Sequence, residues 1–137
     1  MVSKGGNFLL NIGPNEKGDF DKTAYDRLKK IGEWMKINSE AIYYTRPVEP
    51  YKEGKVCFTK LKDGTVFAIY LADENESSLP EKLIFEKFIP SSDAEIELLG
   101  TGIKLKGKKN NNFYEIEFPE NVRKNIPNKY AWVLKIK

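Results

Sequence analysis

At 137 residues the chain is long enough for one ordinary domain, or a small domain with an appendage, and too short for two full domains. Its 40% hydrophobic, 12% aromatic and 31% charged residues point to a globular protein with a packed core. The net charge of +3 comes from 23 basic and 20 acidic side chains of interspersed sign, which does not indicate nucleic acid, and the absence of histidine removes Ser-His-Asp and Cys-His catalysis together with the commonest zinc ligand.

In chain order, Gly6-Asn7-Phe8-Leu9-Leu10-Asn11-Ile12 is almost continuously apolar and stops at Gly13-Pro14, the pattern of a strand buried on both faces, as in a parallel sheet. A loop with Asn15, Lys17-Gly18 and Asp19 follows. Tyr25, Leu28, Ile31, Trp34 and Met35 then recur at helical spacing and predict an amphipathic helix, with Asp19 or Asp21 at its N-cap and its end near Asn38. Strand, loop and helix make half of a βαβ unit, and a parallel-type strand without a partner implies further chain before it. No apolar run approaches the ~20 residues that span a bilayer, and the first residues lack the apolar stretch of a secretory signal, so no membrane partner is expected.

Beyond Pro47 and Pro50 the pattern changes to short aromatic and β-branched segments between turn signals, which places a boundary between residues 1–47 and 48–137. Seven strands are predicted, at residues 55–60, 65–71, 82–89, 95–99, 103–106, 113–118 and 130–136. The first two are joined by a hairpin at Lys62-Asp63-Gly64. Alternation within them predicts an antiparallel sandwich, with Phe58, Phe67, Ile69, Phe85, Ile96, Leu98, Ile116 and Trp132 between its sheets. The lysines from Lys104 to Lys109 run into Asn110-Asn111-Asn112 and read as a strand end and solvated turn. Cys57, the single cysteine, is expected as a buried or half-buried thiol in a strand.

The residues also carry a resemblance. Gly6 to Pro14, Gly18, Arg27-Leu28, Ile31-Gly32-Glu33-Trp34-Met35, Asn38, Glu40-Ala41-Ile42-Tyr43 and Thr45-Arg46-Pro47 together are similar to the end of the catalytic barrel in family 29 of the glycoside hydrolases, the α-L-fucosidases. Leu98-Leu99-Gly100 and Tyr130-Ala131-Trp132-Val133-Leu134-Lys135 resemble the closing strands of that family's C-terminal sandwich. The resemblance implies a mainly β fold, an antiparallel sandwich preceded by one strand and one amphipathic helix left over from a (β/α) barrel. It also implies a retaining parent enzyme in which an aspartate nucleophile and an acid/base carboxylate, usually a glutamate, act on fucosylated glycans from positions upstream of this chain. The resemblance implies a parent of a kind typically secreted, periplasmic or lysosomal, and the sequence carries no signal that assigns this chain to a compartment.

No catalytic residue, cofactor or metal is expected within the chain itself. Asp19, Asp21, Glu33 and Asp63 sit in capping, turn or helix-surface contexts, and Trp34 and Trp132 read as core. Asn11 and Gly13, at the C-terminal end of the first strand, are candidates for the rim of a barrel site. Two functions remain open: a non-catalytic sandwich that packs against and stabilises a catalytic barrel, or a carbohydrate-binding module stacking sugar on an exposed Tyr44, Tyr51, Tyr70 or Tyr114. The expected partner is the missing barrel. Without it, residues Phe8 to Ile12 are expected to fold back on the chain or to pair with a second copy.

Overall fold

The computed structural model describes residues 1–126 and 128–137. It opens with a single 3-10 turn at Val2–Lys4, followed by the helix α1 at Lys22–Asn38 and a second 3-10 turn at Ser39–Ala41. Among the described residues nine strands follow: β1 Arg46–Glu53, β2 Val56–Lys60, β3 Val66–Leu71, β4 Lys82–Phe85, β5 Ile96–Leu98, β6 Ile103–Leu105, β7 Gly107–Lys109, β8 Tyr114–Glu117 and β9 Ala131–Ile136. A short helix α2, Glu120–Lys124, lies between the last two.

The strands form two antiparallel sheets, one of six strands in the order β1-β2-β3-β9-β5-β6 and one of three in the order β4-β8-β7. The C-terminal strand β9 is therefore central, pairing with β3 from Val66↔Ile136 to Leu71↔Ala131 and with β5 from Ile96↔Ile136 to Leu98↔Leu134. Val56, Phe58, Tyr70, Trp132 and Leu134 from the large sheet meet Leu83, Phe85, Tyr114 and Ile116 from the small one in the main core. This is the sandwich the alternation predicts.

The large sheet is apolar on its second face as well. Phe67, Ile69, Ala131 and Val133 alternate with the main-core residues and are covered by Ala41, with Trp34, Ile42 and Cys57 packed around them. Phe67 and Ile69 are thus buried as expected, but beneath the helical segment and not between the sheets. Cys57 is half-buried there.

Several elements differ from the sequence reading. Residues 6–12 take no strand structure, since a strand exists only through a neighbouring strand's hydrogen bonds, and among the described residues no backbone hydrogen bond reaches residues 7–12. Asp21 occupies the N-cap of α1 with extended backbone but makes no side-chain cap. Asp19 instead accepts from the Phe20 N–H at 2.7 Å and from the Tyr25 hydroxyl at 2.5 Å. Strand β1 runs through both Pro47 and Pro50, which is tolerated because it lies at the sheet edge and its pairing to β2 is interrupted between Pro47 and Lys52. The lysine stretch read as a turn contains β7, so the chain crosses from the large sheet at Leu105 to the small one at Gly107. A side chain at Gly107 would run into the Tyr114 ring.

Candidate functional site

The second face of the large sheet is where the helical segment is fixed to the sandwich. The Trp34 indole N–H donates to the Ala131 carbonyl at 2.9 Å, and the buried Thr59 hydroxyl donates to the Ala41 carbonyl at 2.8 Å. Lys135 reaches Glu40 at 2.6 Å at the border. Asn38 ends α1 by donating its amide to the Trp34 carbonyl at 3.1 Å, which turns the chain into the 3-10 turn that delivers Ala41 to the sheet. Helix and sheet therefore share one apolar layer. Burial and hydrogen bonding both resist their separation.

The opposite side of α1 is uncovered. Leu28 and Met35 are half-buried, while Tyr25 is 50% and Ile31 46% exposed. Phe8, Leu9 and Leu10 lie open to solvent beside them, with Leu9 at 81%, and Tyr43 and Tyr44 continue the apolar surface. Among the described residues, no backbone hydrogen bond reaches residues 7–14. An apolar segment with unpaired peptide groups is suited to adding a strand and burying its side chains.

Asn11 and Gly13 are both exposed on this side and share with Leu10, Asp21, Ala24 and Leu28 a hollow of about 410 Å³. Asp21 is the one carboxylate lining it. A retaining glycosidase needs two, about 5–5.5 Å apart. Among the described residues, no three cysteine, aspartate or glutamate side chains are placed to hold a metal ion.

The four tyrosines named as stacking candidates divide evenly. Tyr70 and Tyr114 are in the main core, whereas Tyr44, at 89%, and Tyr51, at 41%, are exposed. Both exposed residues have left-handed backbone, φ 61° and φ 64°, which non-glycine residues seldom adopt. Tyr51 hydrogen-bonds its own strand at Glu49.

Tyr70 belongs to a polar cluster that the sequence reading did not find. Its hydroxyl donates to Glu76 at 2.6 Å, and the Lys55 ammonium lies 2.9 Å from the same carboxylate and 2.5 Å from Asp73. Burial, reinforced by Glu76, pushes the Tyr70 hydroxyl up to about 12. Burial also pushes the Glu76 carboxyl up, but the Tyr70 and Lys55 hydrogen bonds outweigh it and hold the group below its ordinary value. Lys55 is raised, first by Asp73 and then by Glu76. The cluster clamps the loop after β3 onto the β2–β3 hairpin. Its residues are separated by up to 21 positions, so local spacing gives no sign of it.

Similarity to known proteins runs along the whole chain. Residues 1–40 match the family described as alpha-L-fucosidase, and residues 38–137 match the alpha-L-fucosidase C-terminal domain. Human tissue alpha-L-fucosidase is 34% identical over 140 residues, covering 98% of this chain and 29% of that protein. The alpha-L-fucosidase of Branchiostoma floridae is 31% identical, covering 99% of this chain and 30% of its own. Among solved structures, Thermotoga maritima alpha-fucosidase in complex with fucose superposes with a TM-score of 0.81 at 30% identity over 99% of this chain and 31% of that one. An alpha-L-fucosidase from Bacteroides thetaiotaomicron gives 0.75 at 26%, over 99% and 29%. The chain spans less than a third of the length of these relatives.

Proposed function

The chain belongs to the α-L-fucosidase family, whose C-terminal domain it contains, and we propose that it is the non-catalytic end of a retaining enzyme acting on α-L-fucosyl linkages, with the sandwich stabilising the catalytic barrel. The observation that carries this reading is the position of α1. One side is locked to the sandwich through Trp34, seconded by Ala41 of the 3-10 turn that follows, and the other presents Ile31, Tyr25 and the unpaired apolar segment from Phe8 to Ile12. A helix fixed in this way holds the sandwich rigidly to whatever covers its free side. In this reading the cover is the rest of the barrel, residues 1–47 are its last strand-and-helix unit, and residues 48–137 are the accessory domain. Asn11 and Gly13 then lie at the barrel rim and take no chemical part. In the barrel's absence a second copy of the chain pairs through Phe8 to Ile12.

The reaction itself requires a nucleophilic and an acid/base carboxylate. Among the chain's carboxylates, Glu53 holds the backbone N–H groups of Glu86, Lys87 and Phe88, Glu76 the Lys55 cluster and Asp19 its own loop, and Asp21 is alone at the hollow beside Asn11 and Gly13. The purified chain is therefore expected to leave an aryl α-L-fucoside unhydrolysed at every pH. Turnover that survives repurification, and is lost on substitution of one of these carboxylates, would overturn the reading.

A further inference from the structure

Beside the joint, between α1 and the start of β9, lies a hollow of about 500 Å³ lined by Arg27, Lys30, Ile31, Trp34, Tyr130 and Ala131. It adjoins the apolar side that carries Phe8 to Ile12 and shares Ile31 with it, whereas Arg27, Lys30 and Tyr130 have no part in the proposed function. Its floor is pre-formed. Trp34 is tied to the Ala131 carbonyl, and Ala131 is held in the sheet opposite Leu71. Tyr130 stands at its edge, 56% exposed.

The charged side chains that line it are both cationic. Arg27 and Lys30 are three residues apart on α1 and stand on the same side of the helix. An adjoining hollow of about 250 Å³ adds Lys129, with Glu33 as its one carboxylate. No ion pair among the described residues involves Arg27, Lys30 or Lys129. Three cations against one carboxylate leave an excess of positive charge beside a wall of carbon.

We propose that this hollow binds a small aromatic carboxylate, its ring against Tyr130 and Trp34 and its anionic group on Arg27 and Lys30. The volume falls within the usual range for small-molecule sites. Guanidinium and ammonium groups with no internal partner are free to make charge-assisted hydrogen bonds, and a flat ring fits aromatic walls. An acidic sugar has the charge but the wrong body. Its hydroxyls would lose water against a lining whose indole N–H is already committed to Ala131, at the cost of leaving polar groups unpaired.

The test is titration of the ¹⁵N-labelled full chain with 2-naphthoate, followed at the Trp34 indole N–H and the Tyr130 amide. Saturable shifts at both sites are expected. Binding should weaken at least about tenfold in the double variant Arg27→Ser/Lys30→Ser, as loss of charge-assisted contacts predicts. Both positions are exposed on the helix, and an unchanged spectrum in β3 and β9 checks that the variant folds. The variant Phe8→Lys/Leu10→Lys should bind like the parent. The proposal is overturned if saturation is not reached, if 2-naphthalenemethanol binds as tightly as 2-naphthoate, if glucuronate saturates the same resonances at the same concentration, or if the double serine variant retains full affinity.

Discussion

Trp132 sits where the two sheets meet, 1% exposed, with its indole N–H donated to the Asn128 carbonyl at 2.8 Å and its ring 5.7 Å from that of Tyr70. Truncation there removes a large apolar surface, leaves a cavity and orphans a carbonyl. Trp132→Ala is expected to cost ~3–5 kcal/mol, measured by urea unfolding. A change within ~0.5 kcal/mol would place the ring on the surface. Tyr70 gives a pH-dependent counterpart. Its folded pKa lies above the ordinary tyrosine value of about 10, so its contribution is complete below pH ~10 and is lost as the pH rises through about 12. The melting temperature should fall across that window, and the fall should be smaller in Tyr70→Phe. The sequence supplies the parity of Trp132 with Leu134 and Ile136, and this places it correctly in the core. Parity fails for Tyr70 as a stacking candidate because β3 is apolar on both faces. An aromatic ring there has no outward side.

At the scale of elements, the hairpin β2–β3 forms around Gly64, whose φ of 98° satisfies the turn, and the Thr65 N–H donates to Asp63 at 2.9 Å. Both are local signals and both are legible. Strand β1 and helix α2 are not. The prolines of β1 argue against a strand until its place at the edge is known, and α2 has five residues held by one buried side chain, Val122. The joint of α1 with the sheet depends on Trp34, which is half-buried but anchors its indole to β9. Trp34→Ala should lower stability by about 1.5–3 kcal/mol, less than for a fully buried aromatic ring, while unfolding remains a single transition. Two separated transitions in calorimetry would mean that helix and sandwich fold independently.

For the molecule as a whole, the uncovered side of α1 sets its behaviour in solution. Phe8, Leu9 and Leu10 expose apolar surface worth ~1.5–3 kcal/mol for each side chain fully buried, and their peptide groups are unpaired. Sedimentation velocity across a dilution series should therefore show concentration-dependent association, abolished by Phe8→Lys/Leu10→Lys. A parent chain that stays monomeric at every concentration, with amides of residues 7–12 exchanging as in an unstructured peptide, would refute this. The sequence by itself determined the family, the antiparallel sandwich, the helix ending near Asn38 and most of the main core, because these rest on local periodicity, turn residues and contiguous motifs. Tertiary structure alone decided that Phe67 and Ile69 turn to the helix, that β9 is the central strand, and that residues 6–12 form no strand. The physical reason is the same in each case. Alternation separates two faces without saying what covers each, and an apolar run becomes a strand only when another strand supplies its hydrogen bonds.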